Sequence, residues 1–314
     1  IPVELYKMIW PFIPFPYSLI FRKQGDVQLF FSNHVPPGTK GKVISIIHDL
    51  SVRAFPETMS LRTKLLLKLT MKKTIARSDK IITVSEFTKS ELIKYYTVTP
   101  SKIVVMHNGL DASRFHNAIG KSIITQTKKD LNLPNDYILY FGTLEPRKNI
   151  TRLIQGYFIA KQADGGIPKL VIAGKKGWLY DEIFTLVEKL KISEDVIFPG
   201  YIDSKIVPPL YAGAKFFIFP SLYEGFGMPP LEAMACGTPV AVAKAASLAE
   251  VVGDAALLFD PFNTEEIADV ITTMSKNDDL LEDLRKKGIE QSAKFTWSRA
   301  GKVLQDTIRE MVGS

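Results

Sequence analysis

Short apolar runs alternate with helix-length stretches along most of this chain. From Asp26 onward, strands are predicted at Val27–Phe31, Val43–Ile47, Ile81–Val84 and Ile103–Met106. Further strands are predicted at Tyr137–Phe141, Leu170–Ala173, Val196–Phe198, Phe216–Phe219, Val240–Ala243 and Ala256–Phe259. Each is short and nearly continuous in apolar residues, as a strand buried on both faces must be. Helical segments separate most of them: Leu61–Arg77, Glu86–Tyr95, Ile150–Lys161, Asp181–Leu190, Glu265–Met274 and Leu280–Ala293. Buried strands alternating with helices predict parallel sheets covered on both faces, so the fold class is doubly wound α/β.

Asp111–Thr127 is polar and lacks clear periodicity, which marks it as the link between two domains. The predicted domains are 1–118 and 119–292, followed by a final helical segment at 293–314. The apolar opening Met8–Phe21 is broken by Pro11, Pro14 and Pro16, so it reads as a loop or a surface-contacting segment, not as a membrane span.

Composition supports two cores: the 314 residues are 46% hydrophobic and 23% charged, values of a globular chain rather than a disordered one. The net charge of +7 favours anionic partners such as phosphates, acidic lipid surfaces or nucleic acid. The Lys and Arg residues are scattered, without an RNP, zinc-finger or helix-turn-helix pattern, so nucleic acid is not an expected partner. The sole cysteine, Cys236, excludes an intrachain disulfide, fits a reducing cytoplasm and is expected as a small buried side chain.

Candidate chemistry concentrates in Pro220–Val240, which reads as strand end, loop and helix. Glu224–Met228 is a glycine-bearing loop. Pro229 and Pro230 suit a first helical turn, where a missing N–H costs nothing, and Gly237 suits the residue after the helix. Such a loop aims backbone N–H groups and the positive end of a helix dipole at one place, which suits a diphosphate. Gly225 and Gly227 let the backbone approach closely. Glu224 and Glu232 flank the loop with seven residues between them. Carboxylates beside an anion make sense when they accept hydrogen bonds from vicinal hydroxyls, and sugars and riboses supply those. The arrangement therefore points to a nucleotide-sugar; the plainer alternative is a capping loop with two solvated glutamates.

The Glu-x7-Glu spacing inside E-G-F-G-x-P-x-L-E-A-M-A-C-G-T-P-V resembles the donor-site signature of the family 4 retaining glycosyltransferases. That resemblance implies the GT-B fold, two doubly wound Rossmann-like domains with a cleft between them, and it runs from Gly25 to the end of the chain. It implies that Glu224 holds sugar hydroxyls, that Glu232 holds the ribose, and that amides around Phe226, Gly227 and Met228 meet sugar and phosphates. Gly142-Thr-Leu-Glu-Pro-Arg-Lys-Asn149 is similar to the family's G-x-L-x-x-R-K-(G/N) motif. Two cations at a strand end can neutralise the charge that develops on a departing nucleoside diphosphate, Arg147 as a fork and Lys148 as a point charge. His48-Asp49-Leu50 resembles the H-D-L that places a histidine near the transferred sugar, at the carboxyl edge of the first sheet.

Other segments match with open roles. Ile82–Leu92 resembles V-S-E-F-T/S-K, with Ser85 as N-cap, and Asn108-Gly109 resembles the family's N-G turn. Lys175 and Lys176 in Gly174–Trp178 either line the phosphate approach or are solvated. Ala243–Glu250 departs from the family's S-N-x-S-S-L-P-E. Leu61–Lys80, with Arg62, Lys64, Lys68, Lys72 and Lys73 among its leucines, is either a membrane-contacting helix or a mostly buried one with snorkelling lysines. The family's opening strand and Gly-rich loop have no counterpart, so the N-terminal domain is expected to be truncated. The segment 293–314 is expected to cross back to that domain.

The resulting expectation is a retaining glycosyltransferase that needs no metal, since no Asp-x-Asp pair is present. It would use a nucleoside-diphosphate sugar, GDP-mannose first, and a glycan or lipid-linked acceptor in polysaccharide assembly. Its place would be the cytoplasm, with possible peripheral contact at the membrane. A nucleotide-sugar epimerase, a glucan synthase of the same fold or a non-catalytic donor-binding subunit are the alternatives.

Overall fold

The computed structural model describes residues 16–21, 25–31, 34–56 and 61–313. By contacts the chain forms two compact units, residues 1–109 with 297–314, and residues 110–296.

The first unit carries an all-parallel sheet in the order β1 (Val27–Phe30), β2 (Lys42–Ile47), β3 (Lys80–Thr83), β4 (Ile103–Val105). The interior strand β2 is buried from Val43 to Ile47, as a run rich in β-branched residues and packed on both faces should be. Helix Leu61–Arg77 turns threonines inward: Thr74 Oγ1 accepts the Val35 N–H at 3.1 Å, while Lys72 and Lys73 are exposed. The side chains of Arg62 and Lys68, and most of the apolar opening segment, lie outside the described residues. Helix Glu86–Tyr96 starts where predicted, with Ser85 accepting the Thr88 N–H at 3.1 Å. The terminal helix Trp297–Val312 belongs to this unit; Lys80 pairs with Glu310 at 2.9 Å.

The second unit holds a six-stranded parallel sheet in the order β10 (Ala256–Phe259), β9 (Val240–Ala243), β8 (Phe216–Phe219), β5 (Tyr137–Phe141), β6 (Lys169–Ala173), β7 (Val196–Gly200). Chain order reverses between β5 and β8. That makes their adjoining carboxyl ends the topological switch point, where open α/β sheets bind ligands. Fully buried Tyr137, Tyr140, Phe216, Phe217 and Phe219 fill the middle of the sheet.

Two features differ from the sequence reading. The predicted link contains a helix, Lys121–Asp130, packed against helix Val207–Ala212. Its inward face presents Ile124 and Thr127 while Ile123 points outward, so the apolar stripe is too thin to register as periodicity. The segment just before it is tied into the second unit. Leu110 N–H donates to Phe295 O at 3.0 Å, Arg114 Nη2 to Ser204 O at 2.5 Å, and Phe115 sits against Tyr211. Packing therefore divides the chain at Gly109, ahead of residue 118. Among the described residues, no helix is long and apolar enough to cross a membrane.

Candidate active site

Three loops at the switch point build the site. The first leaves β5 through Gly142, whose N–H is committed to Ala173 O at 3.0 Å, so Gly142 closes the sheet edge instead of offering that donor. Gly174 lies against it: a Cβ there would stand 1.9 Å from Gly142 O, and its φ of +141° suits only glycine. The loop then makes a short 3-10 turn, Pro146–Lys148, and ends on Asn149 in the left-handed region, which Asn tolerates. Buried Asn149 Nδ2 donates to Pro261 O at 2.7 Å and Pro220 O at 3.2 Å, lacing the ends of β5, β8 and β10 together. The second loop follows β8, and its Leu222 N–H donates to Arg147 O at 3.0 Å. The third follows β9: Ser247 Oγ lies 2.8 Å from Glu224 O and 2.7 Å from Phe226 O and shares one proton between them.

Held this way, Arg147, Lys148 and Glu224 form one ion cluster. Lys148 Nζ is 2.5 Å from Glu224 Oε1, and Arg147 Nη1 is 3.4 Å from Glu224 Oε2. Ser221 Oγ also donates to Glu224 Oε1, at 2.6 Å. Arg147 Nη2 pairs with Glu145 at 2.7 Å, and its Nη1 donates to Tyr223 O. The Lys148 and Glu224 side chains are only 11% and 13% exposed, so the pair is largely removed from water. Burial raises the Glu224 pKa, but Lys148 and then Arg147 outweigh it and hold the carboxyl below its usual range.

Glu232 lives in a different field. It lies on helix Met228–Ala235 and accepts the Tyr211 hydroxyl at 3.2 Å. Burial pushes its pKa up, and Tyr211 and Arg114 only partly oppose that. Cys236, just past this helix, is buried, and burial pushes its thiol up to about 12.

Gly227 precedes the helix with φ +122°, and a Cβ there would stand 2.8 Å from Leu248 Cδ2. Gly225, Phe226 and Gly227 are buried and Met228 half-buried. The Phe226 ring packs edge-on against Phe295 at 5.6 Å, so its side chain serves the core. Pro229 and Pro230 lie in the first helical turn and Gly237 follows the helix at φ +75°.

The structure thus gathers Arg147, Lys148 and Glu224, with Gly142, Gly225, Gly227 and Met228 shaping the loops that carry them. Glu232 has its own contacts, and His48 lies in the first unit. There it is exposed after β2, its carbonyl accepting the Thr88 hydroxyl at 3.3 Å. Glu145, Asn149, Ser221, Tyr211 and Ser247 were missed from the sequence. For Glu145 a signal existed, a carboxylate two positions before a candidate phosphate-binding arginine. Among the described residues, no group of three or more His, Cys, Asp or Glu is arranged to hold a metal ion.

The cation pair Arg147 and Lys148 faces Glu224 at the switch point of a Rossmann-like sheet, and the chain belongs to the glycosyl transferases group 1 family, which matches residues 123–291. Residues 3–114 match Glycosyltransferase Family 4. It is a glycosyltransferase of the GT-B fold. The chain is 32% identical over 295 residues to O-antigen chain mannosyltransferase B of Escherichia coli, covering 94% of this chain and 76% of that protein. It is 30% identical over 224 residues to serotype-specific mannosyltransferase WbdA of Escherichia coli, covering 71% of this chain but only 28% of WbdA. In fold it is similar to Anabaena HepE in complex with UDP and glucose, with a TM-score of 0.71 and 21% identity over 88% of this chain and 72% of that one.

Proposed function

We propose that this glycosyltransferase transfers a hexose, mannose in the first instance, from a nucleoside-diphosphate sugar with retention of anomeric configuration. GDP-mannose is the proposed donor and a glycan or lipid-linked chain in polysaccharide assembly the proposed acceptor. The observation that carries this is the pairing of Arg147 and Lys148 with Glu224 at the switch point. The likeness to mannosyltransferases of O-antigen synthesis supports the sugar and the setting. The UDP and glucose held by HepE support a nucleotide-sugar donor.

In this reading the diphosphate takes the cations and Glu224 exchanges them for sugar hydroxyls, so its oxygens keep hydrogen-bond donors in both states. Glu232 accepts from the ribose, and its raised pKa falls when hydroxyl donors reach it. The amides around Phe226–Met228 and the helix N-terminus meet the phosphates. Arg147 and Lys148 stabilise the charge growing on the leaving diphosphate, a role that asks for no metal. The transition state is oxocarbenium-like, with attack on the face the leaving group vacates. The enzyme works in the cytoplasm, in peripheral contact with the membrane that carries its acceptor.

The test is to incubate the chain with GDP-mannose, UDP-glucose and related donors, with and without acceptor glycan, and follow diphosphate release. Release that requires acceptor, with an α-linked product from an α-linked donor, is the expected result. Epimerised donor, or binding without release, would overturn it.

A further inference from the structure

The donor reading leaves one carboxylate of the cluster without a task. Glu145, 15% exposed, holds Arg147 Nη2 at 2.7 Å, the terminal nitrogen that Glu224 does not face. Arg147 and Lys148 supply two positive charges and Glu145 and Glu224 two negative ones, so the cluster is neutral as it stands. Glu224 can leave for sugar hydroxyls. Glu145 is held in place, because the 174–177 loop extends the sheet ladder against it. Gly177 N–H donates to Leu144 O at 3.0 Å, and a Cβ on Gly177 would stand 3.4 Å from Glu145 Cβ. That packing fixes the backbone and Cβ of Glu145, from which the carboxylate reaches Arg147 Nη2 at 2.7 Å.

A site meant only to hold phosphate would leave its arginine unopposed. Transfer poses a different problem. When the sugar C–O bond breaks, its electron pair stays on the terminal phosphate oxygen, the sugar bonds to the acceptor oxygen, and the acceptor proton passes to solvent. With a second phosphate pKa near about 6, the product carries about one more negative charge than the donor at neutral pH. Any surplus of positive charge therefore favours product over substrate and slows release.

Resting on that donor reading, we propose that Glu145 is a resident counter-anion. It positions the Arg147 fork and also subtracts one charge from the diphosphate site, so that the spent nucleoside diphosphate is not retained. It touches no reacting atom and acts through Arg147.

Calorimetry on the full chain with GDP and with UDP tests this, alongside Glu145→Gln and Glu145→Asp. Gln keeps an oxygen for Arg147 Nη2 and removes the charge; Asp keeps the charge. Glu145→Gln should bind the nucleoside diphosphate on the order of tenfold more tightly, with a steeper salt dependence, and the ratio of its product-inhibition constant to donor KM should fall. Glu145→Asp should stay near wild type in both. A role confined to propping Arg147 predicts the opposite for Glu145→Gln, weaker binding and a raised KM. Unchanged or weaker diphosphate binding by Glu145→Gln, with an unaltered circular dichroism spectrum, overturns the proposal. Wild-type protein that binds neither GDP nor UDP overturns the donor reading itself, and this inference with it.

Discussion

Replacing Lys148 with Ala isolates what the ion cluster contributes. The substitution removes a side chain 11% exposed, 2.5 Å from Glu224 Oε1 and 5.2 Å from the centroid of the Phe219 ring. Stranding one member of a buried pair costs about 3–5 kcal/mol when nothing else compensates it. Here Arg147 at 3.4 Å and Ser221 at 2.6 Å remain, so the expected loss at neutral pH is about 2–3 kcal/mol. The sign with pH follows from Glu224. In wild type its pKa is depressed, so it contributes stability above the usual carboxylate range and loses it as pH falls through the lowered value. In the variant the largest lowering influence is gone and burial raises the pKa. Glu224 then favours the folded state only while protonated, and that contribution fades as pH rises. The gap between wild type and Lys148→Ala should therefore widen between about pH 4.5 and pH 7.5. Urea unfolding followed by circular dichroism at both pH values measures it, and turnover should fall on the order of 10² to 10³. Equal gaps at the two pH values would refute the idea that Lys148 keeps Glu224 ionised.

Three further outcomes are expected. Glu232→Gln should stabilise the ligand-free chain at neutral pH by about 1 kcal/mol, a rise in Tm of about 2–4 °C. The raised pKa means the ionised wild-type carboxylate opposes folding once pH exceeds it; the same variant should bind GDP more weakly by calorimetry. Glu224→Ala should leave GDP binding undiminished while lowering kcat on the order of 10², because its partner during transfer is the sugar; weakened GDP binding with normal kcat would reverse the assignment of the two glutamates. Gly174→Ala should cost about 2–4 kcal/mol and lower activity without altering any charged residue, since its Cβ would collide with Gly142 O and displace the loop bearing Arg147 and Lys148; thermal melting and donor turnover read both effects.

Much of this was legible in the chain. Tyr137–Phe141, Phe216–Phe219, Val240–Ala243 and Ala256–Phe259 are strands over the predicted residues, because uninterrupted apolar runs bounded by Gly, Pro or Asp admit little else. Helices Val207–Ala212 and Leu248–Val252 escaped notice: each is barely longer than one turn, and Pro208 and Pro209 read as breakers although they sit in a first turn. Arg147, Lys148 and Glu224 stood out as motif residues, but their pairing did not. It depends on β8 lying beside β5, and strand order is a product of tertiary packing that local patterns do not encode. Asn149 closed a quoted motif, but its buried role, like those of Ser221 and Ser247, was illegible for a related reason. Small polar residues are ordinary in loops, and only the folded loops reveal that these three close the site.

The buried cysteine has a practical side. A thiol pushed up to about 12 is ionised in fewer than about one molecule in ten thousand at neutral pH, and only the thiolate attacks alkylating or fluorescent reagents. Cys236 is the sole cysteine of the sequence and is buried, so the folded wild-type chain is expected to react only slowly with maleimide. A cysteine placed on any exposed position, Lys176 or Lys205 among them, would be the single labelled point without first removing a native one. Unmasking of Cys236 itself would then count unfolded molecules, one thiol for each.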